Sequence, residues 1–177
     1  DLFAGCGGLS LGLKLAGFKT LLFSELNKDA SATFAANHES DVIKEGDVHN
    51  LTKSDGKALK AHLKKWASEG IETIDLVCGG PPCQAYSLVG RSRMQNHDGL
   101  KADHRHFLYK EYLGIIEEYE PAIFVMENVK GLNTAKVAGK PILPAILKDL
   151  RKAGSKGYEL HTLEAQDDAL PGLGDDD

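Results

Sequence analysis

The sequence predicts an α/β fold with a mostly parallel central sheet flanked by helices, incomplete at the C-terminal side. Short β-rich apolar runs alternate with segments of helical apolar spacing, which is typical of parallel βαβ units. Several runs end directly in a glycine or a carboxylate, as expected at the carboxyl edge of an open sheet, where ligands bind. With 177 residues and 42% hydrophobic content, the chain can build one core of ordinary domain size.

The chain opens on the end of a strand, residues 1–3, followed by a glycine-rich turn over residues 5–8. Helical spacing follows from Leu9 to Ala16, with Gly17 at the position that ends a helix. Such a turn allows a cofactor to lie against bare backbone at a helix N-terminus, although tight packing between strand and helix also selects glycine. The pattern is not Gly-x-Gly-x-x-Gly and lacks a following Gly-Lys-Ser/Thr, which disfavours a nicotinamide cofactor and a nucleotide triphosphate.

A second strand is predicted over residues 18–24, ending at Glu25. Asn27 or Asp29 then offers an N-cap for a helix that runs to about His38. An acidic residue about 20 residues past the glycine turn is where dinucleotide folds hold ribose hydroxyls. The alternative for Glu25 is a solvated loop carboxylate.

A short third strand is predicted over residues 41–44, and Asp47 follows it. The Asp47 carboxylate could cap the next turn, bind a ligand, or do both. A helix between Asp55 and Gly70 has apolar residues on one face and lysines opposite, which is typical of scaffold with a solvated surface.

The fourth strand, residues 74–78, leads into Gly79-Gly80-Pro81-Pro82-Cys83-Gln84. The glycines allow a tight turn, and the prolines fix φ for two consecutive residues, so that Cys83 is presented in one orientation. This pattern favours a functional thiol, and a packed core cysteine is the alternative. Cys78 and Cys83 lack the spacing of metal ligands, so no metal site is predicted.

Residues 85–106 form a polar stretch without clear periodicity, and loops of about this length are usually functional or disordered. The net charge of −5 is the wrong sign for a domain that binds nucleic acid over its whole surface. This stretch, however, is locally basic and could close over a phosphate backbone. Its charged residues are Arg91, Arg93, Lys101 and Arg105 against Asp98 and Asp103.

The rest of the chain predicts two helices and two strands. A helix over residues 107–119 ends at Pro121. The fifth strand, residues 122–126, is apolar throughout, as expected of a central parallel strand, and it ends in Glu127-Asn128-Val129. A helix over residues 141–153 and a further strand over residues 158–165 follow. Glu127 is therefore expected one strand over from Cys83.

Three of these motifs, in this order, resemble the S-adenosylmethionine-dependent cytosine-C5 DNA methyltransferase family: residues 1–8, Gly-Pro-Pro-Cys-Gln at 80–84, and Glu127-Asn128-Val129. The resemblance implies a Rossmann-like class I methyltransferase fold and the N-terminal part of its catalytic domain. On this interpretation residues 1–166 are the cofactor-binding catalytic domain with a mobile catalytic loop at about 85–106. Residues 167–177 are an acidic flexible segment, and the target-recognition region is absent.

The resemblance also implies a reaction. Cys83 attacks C6 of a flipped-out cytosine, Glu127 faces N3 as an acid, Asn128 helps hold the loop, and C5 takes the methyl group, leaving S-adenosylhomocysteine. The residues implied on the cofactor side are Phe3, Gly5, Cys6, Gly7, Gly8, Glu25, Leu26, Asp47, Val48, Pro82 and Leu108. Those implied on the nucleic-acid side are Gln84, Ser87, Arg91, Arg93 and Arg105.

The expected partners are double-stranded DNA and, for a bacterial modification enzyme, a cognate restriction endonuclease. No apolar run is long enough to span a bilayer, and three cysteines do not suggest a disulfide framework, so the expected location is cytoplasmic, and nucleoid-associated in a bacterium. Residues 1–177 alone are expected to bind the cofactor weakly and not to turn over. Two alternatives remain: a transfer-RNA cytosine-C5 methyltransferase, and a catalytically silent cofactor-binding interaction module.

Overall fold

The computed structural model describes residues 1–82, 108–137 and 140–163. In these ranges strands and helices alternate along the chain, as the sequence predicts. The strands are β1 Leu22–Ser24, β2 Ile43–Glu45, β3 Leu76–Gly79, β4 Ile123–Met126, β5 Lys136–Val137 and β6 Lys140–Pro141. The α-helices are α1 Gly8–Leu15, α2 Lys28–Asn37, α3 His49–Ser68, α4 Leu108–Tyr119 and α5 Leu143–Lys152, and a 3₁₀ turn covers Lys130–Thr134.

Leu2 joins two parallel strand pairs into one sheet. β1 pairs with β2 and β3 pairs with β4, both in parallel. Leu2 forms parallel bridges to Ser24 and to Gly79, and its amide donates to the Cys78 carbonyl at 2.8 Å. The resulting order is β2-β1-Leu2-β3-β4, which confirms the predicted parallel sheet and brings the carboxyl ends of all its strands to one edge.

Neighbouring residues of β1 point to opposite faces of this sheet, because side chains alternate along a strand. Leu22 belongs to the main core, in which Leu59 of α3 and Ile115 of α4 are each 1% exposed. Phe23 stacks instead on Phe34 of α2, with ring centroids 3.8 Å apart. The sheet therefore has helices on both faces, as the sequence predicts.

A cavity of about 440 Å³ is lined by Asp1, Leu2, and residues of β1, β3 and the neighbouring helices. Its lining is mainly apolar and includes Trp66 of α3. The backbone nitrogen of Asp1 donates to the Leu22 carbonyl at 2.8 Å.

The strand predicted over residues 158–165 is wrong for residues 158–163, which form no strand in the structure. The Tyr158 hydroxyl donates to the Pro121 carbonyl at 2.7 Å, and its ring meets Phe124 edge-on at 5.0 Å. The Tyr158 amide bonds to the Arg151 carbonyl at 3.1 Å, closing a turn after α5. The apolar spacing therefore reflects a loop packed against Pro121 and against Phe124 of β4, not a strand.

Two further expectations need correction. β4 was expected to be central, yet within the described residues it pairs only with β3, and Ile123 and Val125 are 54% and 38% exposed. α3 begins at His49 instead of near Asp55, and the His49 amide donates to the Asp47 carboxylate. In the described residues no helix is long and apolar enough to cross a membrane.

Candidate active site

The glycine-rich turn at the start of α1 adopts a backbone that requires glycine at Gly7. Gly7 is the N-cap of α1 and has a φ of 90°, in the left-handed region that side chains disfavour. A Cβ there would overlap the Phe34 ring and the Nε2 atom of His38. His38 Nε2 also lies 3.2 Å from the Gly7 carbonyl oxygen, so α2 braces the turn.

Phe3 precedes the turn in a strained conformation. Its φ is 57°, and this region costs a non-glycine residue about 1–2 kcal/mol. Hydrogen bonds on both sides enforce it: Leu2 N to Cys78 O at 2.8 Å and Ala4 N to Ser24 O at 3.0 Å. Such strain is commonly retained at ligand sites, and the half-buried Phe3 lies at the carboxyl edge of the sheet.

Glu25 is not a solvated loop carboxylate. Its Oε2 accepts from the Gly5 amide at 2.9 Å, and its Oε1 accepts from the Asn27 amide at 2.7 Å. The end of β1 is thereby tied to the glycine-rich turn and to the first turn of α2, where Asn27 is the N-cap. Leu26, next to Glu25, is 74% exposed and forms an apolar rim.

Asp47 lies between β2 and α3. Its Oδ1 accepts from the His49 amide at 3.0 Å and lies 2.7 Å from His49 Nδ1. Val48 between them is 4% exposed, so burial fixes the backbone that carries the carboxylate. The Asp47 carboxylate therefore closes the turn that leads into α3, one of the roles that the sequence leaves open.

The ends of β3 and β4 meet at the stretch that leads to Cys83. Gly79 is in register with Met126, and the Glu127 amide donates to the Gly79 carbonyl at 2.9 Å. A Cβ on Gly80 would lie 3.7 Å from Glu127 Oε2. The predicted neighbourhood of Glu127 and the start of the Pro-Pro-Cys stretch is therefore present.

Some of the expected site residues fall outside the described residues: Cys83, Gln84, Ser87, Arg91, Arg93 and Arg105, with the whole of the expected loop 85–106 and the acidic segment 167–177. Pro82 and Leu108, the described residues that flank residues 83–107, are both half-buried. Asn128 is exposed, and its Oδ1 accepts from the Val129 amide at 2.8 Å. In the part of the chain that the structure describes, no group of three His, Cys, Asp or Glu side chains could hold a metal ion.

Sequence reasoning missed three residues around this edge: His38, His49 and Glu111. His38 and Glu111 reach it only through the packing of α2 and α4, which no local pattern indicates. His49 could have been found, because a donor two residues after an aspartate often closes a local side-chain turn.

The residues at this edge fit S-adenosylmethionine. Gly5, Gly7 and Gly8 offer backbone against which the methionine part could lie, at the N-terminus of α1. Glu25 and Asp47, at the ends of adjacent strands β1 and β2, offer carboxylates for the ribose hydroxyls and for a base amine. When bound, the cofactor supplies an electrophilic methyl group on a sulfonium sulfur.

Comparisons with known proteins agree with this arrangement. The family model described as C-5 cytosine-specific DNA methylase matches residues 1–171. The chain is 37% identical over 167 residues to the type II methyltransferase M.PspPI of Psychrobacter sp., covering 93% of this chain and 34% of that protein. It is 35% identical over 176 residues to the type II methyltransferase M.AquIA of Picosynechococcus sp., covering 97% of this chain and 66% of that protein.

A solved structure agrees as well. A crystal structure described as a prophage-encoded DNA modification methyltransferase of E. coli matches with a TM-score of 0.59 and 30% identity, covering 85% of this chain and 36% of that one. The chain spans only 33% to 66% of the length of eight relatives that it matches. The match over residues 1–171 shows that the chain belongs to the C-5 cytosine-specific DNA methylase family, whose members use S-adenosylmethionine.

Proposed function

We propose that this chain is the cofactor-binding and catalytic part of a DNA cytosine-5 methyltransferase, with Cys83 as nucleophile and Glu127 as acid. The supporting observation is the junction of β3 and β4, where the Glu127 amide bonds to Gly79 and its carboxylate flanks Gly80. Cys83 follows Gly80 by three residues, so Cys83 and Glu127 can act on the same small ring.

The chemistry needs both groups because C5 of cytosine is a weak nucleophile. The Cys83 thiolate adds to C6, and the ring electrons shift toward N3, where Glu127 donates a proton or a hydrogen bond. C5 then takes the methyl group. Loss of the C5 proton and expulsion of the Cys83 thiolate restore the aromatic ring and release methylcytosine.

The cofactor would lie across the ends of β1 and β2. Glu25, held by Gly5 and Asn27, is positioned for the ribose hydroxyls, and Asp47 for the 6-amino group of adenine. The exposed Leu26 would pack on the adenine ring, a role that its position at the rim supports. The other cofactor contacts we assign are Phe3, Cys6, Gly7, Gly8, Val48, Pro82 and Leu108.

The DNA side would be formed by residues 85–106 within a catalytic domain of residues 1–166, followed by the acidic segment 167–177. The target base cannot react inside a duplex, so it must be flipped out. Basic residues of this stretch would then bind the phosphate backbone. The residues assigned to this side are Gln84, Ser87, Arg91, Arg93 and Arg105.

The relatives are named type II methyltransferases, which supports a cognate restriction endonuclease as partner and the nucleoid as the place of action. Expressing the full-length protein should protect host DNA from one sequence-specific nuclease. Unchanged cleavage by a panel of such nucleases would contradict this part of the proposal.

Covalent trapping tests the proposed chemistry. Residues 1–177 would replace the matching segment of M.PspPI, and the chimera would be incubated with S-adenosylmethionine and duplex DNA containing 5-fluorocytosine. Fluorine at C5 prevents the final elimination, so a denaturation-resistant adduct is expected. Cys83→Ser should abolish the adduct, whereas Cys78→Ala, at a buried cysteine of β3, should retain it.

An adduct that persists in Cys83→Ser would contradict the proposed nucleophile. A folded chimera that binds cofactor and forms no adduct, while M.PspPI itself does, would support a silent module instead. Adduct formation on transfer RNA in preference to duplex DNA would support the other alternative, a transfer-RNA cytosine-C5 methyltransferase.

A further inference from the structure

We propose that His49 is a positioning residue for the cofactor: it orients the Asp47 carboxylate toward the 6-amino group of adenine. This inference rests on the proposed function, because it needs a cofactor at the ends of β1 and β2. His49 would not touch the cofactor itself and would act only through Asp47.

Two donors of His49 engage one oxygen of Asp47. The backbone amide donates to Oδ1 at 3.0 Å, and Nδ1 lies 2.7 Å from the same atom. A carboxylate held at Oδ1 by two donors of fixed direction can no longer rotate freely about its Cβ–Cγ bond. The direction of its second oxygen, Oδ2, is therefore set before a ligand arrives.

The far side of the ring also faces a carboxylate. His49 Nε2 lies 3.7 Å from Oε1 of Glu111, in the first turn of α4. The other oxygen of Glu111 accepts from the Thr52 hydroxyl of α3. The imidazole thus stands between carboxylates of two different elements, which favours Nδ1–H toward Asp47 because that short contact requires a donor.

The orientation of the Asp47 carboxylate matters because the strength of a hydrogen bond from the adenine 6-amino group depends on its direction. An amide or amine donor needs an acceptor within about 3 Å and nearly in line, and an acceptor turned away contributes little. A carboxylate that must be immobilised on binding also weakens the affinity, whereas one already fixed does not. His49 would accordingly increase the affinity for the 6-amino group specifically.

A second histidine of α3 supplies a matched control. His62 Nε2 contacts Glu45 Oε1 at 2.9 Å, and its ring lies 5.9 Å from that of Trp66. This pair likewise joins α3 to β2, but we assign neither residue to the cofactor. Substituting His62 therefore measures the general effect of removing an imidazole–carboxylate contact from this helix.

The test is calorimetric binding of S-adenosylhomocysteine to the chain, at concentrations up to millimolar. His49→Phe, which removes both ring contacts, should weaken binding about tenfold, the effect of one charged hydrogen bond. His49→Asn should stay within about twofold of wild type, because its amide nitrogen can replace Nδ1. His62→Phe should leave the affinity unchanged.

A second ligand distinguishes the proposed positioning role of His49 from a merely structural role. S-adenosylhomocysteine is compared with its analogue carrying hydrogen in place of the 6-amino group. The tenfold effect of His49→Phe should shrink below about twofold for this analogue, because Asp47 then has no donor to accept. Equal losses for both ligands would overturn the proposal.

The remaining outcomes separate this inference from the proposed function. If the folded wild-type chain binds neither ligand, the proposed cofactor site is overturned and this inference with it. If wild type binds and Asp47→Ala weakens binding, but His49→Phe does not, then only the proposed role of His49 is overturned. Should His49→Phe fail to fold, ¹⁵N NMR of wild type decides, since a ring protonated only at Nε2 would overturn the proposal.

Discussion

The two sides of the parallel sheet differ in how the described residues hold the carboxylate residues that follow their strands. On the β1–β2 side, the carboxylates of Glu25 and Asp47 each accept from backbone amides. On the β3–β4 side, Glu127 is exposed, and its backbone amide donates to the Gly79 carbonyl. The proposed cofactor half is therefore preorganised by contacts within these residues, whereas the proposed catalytic half is organised mainly through its backbone.

The two sides of the sheet are connected through a single residue, Leu2, which we call the joint. Leu2 bridges Ser24 and Gly79, and the strained Phe3 follows directly. A substitution that disturbs the packing at this joint should therefore destabilise both sides of the sheet. The effect of a substitution within one side should stay confined to that side.

The largest expected effect is at Gly79. A Cβ there would overlap the backbone carbonyl of Leu2, and neither backbone segment can move without breaking the sheet. Gly79→Ala should lower the free energy of unfolding by about 3 kcal/mol or more, as overpacking against a rigid backbone does. Urea unfolding followed by circular dichroism measures it.

Gly80→Ala is the matched control, because a Cβ there meets only ordinary contacts, the nearest at 3.6 Å from Glu127. Its cost should stay below about 1 kcal/mol. Equal effects of the two substitutions would show that the joint at Leu2 is not the point where the two sides depend on each other.

Sequence reasoning succeeded at this edge where the pattern is local. A strand end followed by glycines identified the turn before α1, and an apolar run followed by a carboxylate identified Glu25 and Glu127. The parallel neighbourhood of β3 and β4 followed from βαβ succession.

Sequence reasoning failed where tertiary packing decides the backbone conformation or the contacts of a side chain. The left-handed Phe3 is enforced by hydrogen bonds to two different strands, and the contact of Glu111 with His49 needs the docking of α4 on α3. The apolar spacing after residue 157 was taken for a strand, although Tyr158 packs from a loop onto Phe124. Length and periodicity cannot distinguish these outcomes.

The smallest effect is expected on β4, and it measures how far the outer strand of the β3–β4 side is enclosed. Val125 is 38% exposed, so its methyl groups lose little contact with protein when one becomes a hydroxyl that water can solvate. Val125→Thr should change the unfolding free energy by less than about 0.5 kcal/mol. Val77→Thr, on the adjacent strand with 5% exposure, should cost about 1–3 kcal/mol because its hydroxyl is buried. If instead Val125→Thr costs as much as Val77→Thr, then β4 is enclosed in solution as completely as β3, and the exposed outer strand is not a property of the β3–β4 side.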